Sequence, residues 1–168
     1  QADSRVKRFA RWVRNDRITE EGSFVPYAQV LLAHLALHTL VLIIDGSVVG
    51  RGCGALMVPV VYTGRALPLA WQVRKGQQGH FPEDLHIALV KQGHSLIPLG
   101  ASGVVRGDGA FDGTALQHTL QDDHWAYVVR TGSHITVLGA GERFRCETVA
   151  ACSKPGTLVG LTDVRVTA

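Results

Sequence analysis

The chain has 168 residues, of which 46% are hydrophobic and 18% are charged, and its net charge is +3. This length suits one domain with a real core, and the composition excludes an intrinsically disordered chain. No apolar stretch reaches the length of a membrane span, and the first residues lack the pattern of a signal peptide. The three cysteines form no CxxC pair and leave one unpaired in any disulfide scheme, which favours a reducing cytoplasm.

The first seventeen residues combine helical periodicity with a high density of basic side chains. Val6, Phe9, Ala10 and Val13 recur at helical spacing, which predicts a basic amphipathic helix over residues 4–15. The basic residues of this segment are Arg5, Lys7, Arg8, Arg11, Arg14 and Arg17. They could contact phosphate, although a solvated helix face is the commoner reason for such a run.

A second helix is predicted from Pro26 to His38, and three strands follow it. The first, over residues 40–49, is strongly apolar yet contains Asp45. A carboxylate inside a buried strand is costly unless a partner compensates its charge. The segments ALMVPVVY and ALPLAWQV then predict two strands joined by a turn at Thr63-Gly64, with the prolines at edge positions or bulges.

The second half of the chain alternates helices and strands. A helix is predicted from Pro82 to about Gly93, a strand in GVVRGDGAF, a helix in GTALQHTLQDDH and a strand in WAYVVRTG. From Ile135 onward, short β-branched segments predict small antiparallel strands. Because strands joined through a helix can be parallel, we expect an α/β fold with a mixed five-stranded sheet and flanking helices.

Two aspartates stand out as candidates for chemistry. Asp45 and Asp108 each lie in or at the end of a strand and precede a glycine, and the first and fourth strands can be neighbours. Two carboxylates that converge in this way suit Mg²⁺ or Mn²⁺, which prefer hard oxygen ligands. Alternatively, each aspartate merely shapes a glycine turn.

Four segments together resemble the catalytic core of bacterial insertion-sequence DDE transposases: LVLIIDGS, VVYTGRALPLAWQV, VVRGDGAFDGTALQHTL and WAYVVR. The resemblance covers roughly residues 6–130, including the lead-in KRFARWVRNDRI, and is specific in the combination and order of these motifs. It implies an RNase H-like core at 38–134, preceded by a basic helical lead-in at 1–37. It also implies the start of a β-rich insertion at 135–168.

The resemblance also implies a role for several residues. Asp45 and Asp108 match the first and second catalytic carboxylates, which bind Mg²⁺ or Mn²⁺. The expected partner is double-stranded DNA, both transposon ends and target, bound by a homodimer in the cytoplasm at the nucleoid. Beyond the lead-in, the basic residues expected to contact DNA phosphates are Arg51, Arg65, Arg74 and Lys75.

The chain departs from the family pattern in two places. The family's third acidic residue is a glutamate in a Tyr-Arg-Glu-Lys pattern on a later helix, and this sequence has no such pattern. Glu142, Glu147 and Asp163 lie in strand-like sequence and are not assigned that role, so we expect an inactive piece of a longer protein. Gly109 also stands where family members often have a basic residue, and Asp112 is expected to cap the following helix.

Other interpretations remain open. His34 and His38 have the spacing of two zinc ligands on a helix, but helix packing is the better explanation. The three tryptophans, Trp12, Trp71 and Trp125, are expected in core or edge packing. The rivals to a transposase catalytic domain are a non-catalytic DNA-binding or dimerisation remnant and an actin-like phosphotransferase, which would need a second glycine-rich phosphate loop.

Overall fold

The structure is a computed structural model that describes residues 2–76, 81–139 and 141–167. Within these residues, five α-helices and eight strands follow in chain order, with a π-helical turn at Glu20–Phe24 and a 3₁₀ turn at Gly109–Phe111. The helices are α1 (Ala2–Val13), α2 (Val25–Leu35), α3 (Glu83–Ser95), α4 (Thr114–Asp122) and α5 (Cys146–Ala151). The strands are β1 (Leu40–Gly50), β2 (Cys53–Tyr62), β3 (Arg65–Lys75), β4 (Gly103–Gly107), β5 (Ala126–Val129), β6 (Thr136–Gly139), β7 (Glu142–Arg145) and β8 (Val164–Thr167).

The first five strands form one mixed sheet in the order β3-β2-β1-β4-β5. Short turns join β1, β2 and β3, which pair antiparallel, whereas β4 is parallel to both β1 and β5. The sequence-based prediction of a mixed five-stranded sheet, with the first and fourth strands as neighbours, is therefore confirmed. The arrangement brings the carboxyl ends of β1 and β4 to the same end of the sheet.

The hairpin between β2 and β3 has the predicted turn and the predicted irregularity. Thr63 and Gly64 both adopt positive φ, 44° and 74°, as the two central residues of a type I′ turn require. Pro59 faces Pro68 where the register of the two strands shifts. A proline cannot donate to the ladder, so the bulge places both prolines where a hydrogen bond is dispensable.

One hydrophobic core joins the sheet to its helices. Leu42, Ile44 and Val58 from the strands are buried together with residues of α2, α3 and α4. Helix α3 packs on β2 and β3 and also contacts α4. A side chain at Gly93 of α3 would meet Val58 at 3.2 Å, so this glycine lets the helix approach β2 closely.

The C-terminal segment differs in part from its prediction. Strands β7, β6 and β8 do form a small antiparallel sheet. However, residues 146–151 form helix α5, so Glu147 lies in the first turn of a helix and the expectation of a strand there was wrong. Among the described residues, no helix is both long enough and apolar enough to cross a membrane.

Candidate functional site

Asp45 lies on the open face of β1. Leu40, Leu42 and Ile44 alternate along the buried face of the strand, whereas Asp45, one step beyond Ile44, is exposed. The expectation that Asp45 lies inside a buried strand was therefore wrong. Because Asp45 remains in contact with solvent, its charge carries no large desolvation cost in the absence of a bound cation.

Asp108 lies beside Asp45 because of the parallel register of β1 and β4. Ile44 pairs with Gly107, so the two aspartates are each one residue past the same rung of the ladder. Both line a single cleft of about 390 Å³, at the carboxyl end of β4 and midway along β1. The structure thus brings together the two residues that the sequence singled out.

Each carboxylate makes one described hydrogen bond. Asp45 Oδ2 accepts from Ser47 Oγ at 3.4 Å, and Asp108 Oδ1 accepts from the backbone N–H of Ala110 at 2.9 Å. The second bond holds the Asp108 side chain at the start of the 3₁₀ turn. These bonds use one oxygen of each carboxylate, so both groups retain acceptor capacity toward the cleft.

The turn that carries Asp108 depends on close packing of Gly107 against Phe111 and Ile44. A Cβ at Gly107 would lie 2.9 Å from Phe111 Cβ and 3.1 Å from Ile44 Cγ2, so only glycine fits there. Phe111 is buried and packs edge-on against His86, with ring centroids 4.8 Å apart. Burial lowers the pKa of His86, and the nearby carboxylates of Glu83 and Asp84 partly oppose this shift.

Helix α4, which follows this turn, is capped from another helix. Its N-cap residue is Gly113, and the N–H of Leu116 donates to Glu83 Oε1 of α3 at 3.0 Å. A side chain at Gly113 would collide with the Glu83 carboxylate. Asp112 does not act as the cap, contrary to the prediction, because its Oδ2 accepts from Thr131 Oγ1 at 3.2 Å instead.

Two arginines that the sequence analysis missed line the same cleft. Arg106 faces Ile43 on β1 and Val128 on β5, and the backbone N–H of Arg130 donates to the carbonyl of Gly107 at 3.1 Å. The sequence did contain a signal for Arg106, which precedes Asp108 by two residues. Side chains two residues apart in a strand point to the same face of the sheet, so Arg106 shares the side of β4 on which Asp108 lies. The lining of the cleft therefore includes two aspartates and two arginines.

A larger cleft of about 980 Å³ adjoins the first and shares Asp108 and Arg130 with it. Glu147 lines its far side, and the backbone N–H of Glu147 donates to Ser133 O at 3.0 Å. The Glu147 carboxylate forms an ion pair with Arg145 at 3.3 Å. Glu147, an acidic residue of the C-terminal segment, thus lines the same cleft as Asp108.

Asp45 and Asp108 supply only part of the ligands that a Mg²⁺ ion needs. Among the residues that the structure describes, no group of three or more His, Cys, Asp or Glu side chains is arranged to hold a metal ion. Mg²⁺ is commonly held by one or two carboxylates together with waters and substrate phosphates. Asp45 and Asp108 satisfy that minimum but cannot form a closed, all-protein site.

The other predicted residues fall into separate places. Arg51, Arg74 and Lys75 lie together near the β1–β2 turn, because β3 pairs there with the start of β2, whereas Arg65 lies at the opposite end of the hairpin. The remaining predicted phosphate contacts, Arg5, Lys7, Arg8, Arg11 and Arg14, are all exposed on or just after α1.

The histidine pair is not placed on one helix face. His38 lies beyond the end of α2 at Leu35. The ring Nδ1 of His34 lies 2.7 Å from the carbonyl oxygen of Val30, which is one turn earlier in the same helix. Both residues are exposed, so the prediction that the pair serves helix packing was wrong.

Comparison with known proteins adds no family assignment. A scan against protein-family models finds no match for this chain, and a search of curated protein sequences finds none either.

Proposed function

We propose that this chain carries part of the RNase H-like catalytic core of a DDE transposase, an enzyme that cuts transposon-end DNA and joins it to target DNA. The observation that supports the proposal best is the placement of Asp45 and Asp108. They follow the same rung of two neighbouring parallel strands and line one cleft. The sheet order and the motif order along the chain are consistent with this reading.

In this proposal, Asp45 and Asp108 bind Mg²⁺ or Mn²⁺ through their open carboxylate oxygens. The ion would supply activation of the attacking oxygen and neutralisation of charge on the phosphodiester. The two carboxylates belong to a sheet with a packed core, so their spacing is fixed before DNA binds. Such preorganisation is the main contribution that a protein makes to phosphoryl transfer.

The arginines of the cleft would hold the phosphodiester backbone near the two carboxylates. Arg106 and Arg130 provide planar, permanently charged donors suited to phosphate oxygens. In this proposal, the exposed basic residues of α1 and of the β1–β2 turn would bind further phosphates of a longer duplex. Contacts of this kind position DNA without reading its sequence. A homodimer at the nucleoid, with one transposon end per subunit, completes the proposal.

The proposal is tested first by metal binding to this chain. Calorimetric titration with Mn²⁺ should give binding that is lost in Asp45→Asn and in Asp108→Asn. Asp122→Asn is the matched control, because it removes the same charge from an exposed position at the far end of α4. Unchanged Mn²⁺ binding in both Asp45→Asn and Asp108→Asn would show that these two residues are not the metal ligands.

The second test uses the complete gene product and its own end DNA. Mg²⁺-dependent nicking should require both aspartates and tolerate Asp122→Asn. Full nicking by the Asp45→Asn and Asp108→Asn variants would refute the assignment of catalytic roles.

One observation favours the alternative of a non-catalytic DNA-binding or dimerisation remnant. Among the described residues, no third acidic side chain joins Asp45 and Asp108 in a group arranged to hold a metal ion. Salt-sensitive DNA binding by the complete gene product, with no cleavage in Mg²⁺ or Mn²⁺, would establish that alternative.

A further inference from the structure

Helix α1 presents two exposed aromatic side chains that the proposed chemistry does not use. Phe9 and Trp12 are 66% and 57% exposed, and their rings stack with centroids 6.0 Å apart and an interplanar angle of 25°. Their spacing of three residues makes them neighbours on the helix surface. Trp12 therefore does not serve core or edge packing in this structure, contrary to the expectation from sequence.

Arginines surround this aromatic pair. A groove of about 490 Å³ on α1 is lined by Arg5, Arg8, Phe9, Arg11 and Trp12, and this lining contains no acidic residue. Arg8 precedes Trp12 by four residues, and Arg5 precedes Phe9 by four, so a guanidinium group lies one turn before each ring. The rings thus lie at the border of the basic side of the helix, where a polyanion would come close to them.

We propose that α1 binds single-stranded nucleic acid, with unpaired bases stacked on Phe9 and Trp12 and phosphates bound by Arg5, Arg8 and Arg11. Base stacking on aromatic rings, combined with a positive groove, is the usual mode of binding to single strands. The inference deepens the proposed DNA binding and rests on it for the choice of partner. It is independent of the metal chemistry at Asp45 and Asp108.

Charge and geometry favour this occupant over others. A duplex keeps its bases stacked internally, so it would use the arginines and leave both rings without a partner. A second copy of the chain would bring the same arginines of the two helices together, which like charges oppose.

The test compares single and double strands on wild-type protein and two variants. The anisotropy of a fluorescently labelled twelve-nucleotide oligothymidine measures affinity for all proteins, and in the wild type the strand should also quench the fluorescence of Trp12, the most exposed of the three tryptophans. Trp12→Leu preserves an apolar, helix-forming residue and should weaken oligothymidine binding about 5- to 150-fold. The same variant should leave the affinity for a duplex of equal length unchanged within about twofold, because a duplex uses phosphate contacts alone.

Arg8→Gln serves as the second variant, since it removes a charge and keeps both rings. It should weaken binding to single and double strands alike and should reduce the salt dependence of both. Circular dichroism of both variants checks that helix content is retained.

Three results would overturn the inference. One is equal oligothymidine affinity for wild type and Trp12→Leu. Another is binding to anionic phospholipid vesicles without binding to oligothymidine. The third is a dimer in solution that dissociates in Phe9→Leu. Oligothymidine binding that is lost in Trp12→Leu, together with full nicking of end DNA by Asp45→Asn and Asp108→Asn, would support α1 as the strand site and refute the catalytic proposal alone.

Discussion

Glu83 should stabilise the protein by capping a helix to which it does not belong. Its Oε1 accepts the N–H of Leu116 at 3.0 Å, and helix α4 receives no side-chain bond from its own N-cap residue. Loss of an N-terminal cap costs about 1 kcal/mol, and loss of a negative charge there costs a further ~0.3–1 kcal/mol. Glu83→Ala should therefore lower the free energy of unfolding by about 1–2 kcal/mol.

That loss should lower the midpoint of thermal unfolding by about 2–8 °C for a protein of this size. Thermal and urea unfolding followed by circular dichroism would measure it. Glu83→Gln keeps an acceptor and removes the charge, so it should lose only the charge contribution of about 0.3–1 kcal/mol. Glu142→Ala, at an exposed position of β7, is the control for removal of a surface glutamate. If Glu83→Ala unfolds within about 0.3 kcal/mol of this control, the cap does not contribute as described.

Two further predictions concern buried contacts. Because burial lowers the pKa of His86, the unfolded chain binds more protons, so stability should be full above pH 6.5 and should fall below it. The free energy of unfolding should change by at most about 1.4 kcal/mol per pH unit, and by less in His86→Gln. Urea unfolding of both proteins at pH 7.5 and 5.5 measures this change, and an equal change in the two proteins would contradict the prediction. Gly103→Ala should cost about 1–3 kcal/mol, because its Cβ would lie 2.5 Å from the buried Trp125 ring. Gly160→Ala, where a Cβ meets open space, should be nearly neutral, and similar urea midpoints for both alanine variants would refute the steric argument.

Local signals made the sheet predictable. Thr63-Gly64 between two apolar runs specified the hairpin, and a helix between each later pair of strands indicated parallel pairing. From that order, the neighbourhood of Asp45 and Asp108 could be predicted before any coordinates were known. The proximity of the two aspartates depends on the sheet topology, which short connections constrain strongly.

Features that depend on tertiary contacts were not predictable. Thr148 and Val149 favour strands locally, yet they lie in α5, whose first N–H groups are bonded to the carbonyls of Ser133 and Ile135. Capping of α4 by Glu83 joins residues 33 positions apart, a distance that no local pattern spans. The exposure of Asp45 was not predicted either. An apolar run does not show how far along the strand the other elements pack against one face of the sheet.

The parallel pairing of β1 with β4 also bears on how the protein folds. Leu42 pairs with Val105, 63 positions later in the chain, whereas the β1–β2 and β2–β3 hairpins close locally. Closing so long a loop is entropically costly, and contacts of large sequence separation slow folding. The cleft between Asp45 and Asp108 therefore exists only after β4 has joined the sheet. A ribosome-bound chain that ends before β4 has neither the cleft nor the second carboxylate, so the two acidic groups first meet late in folding.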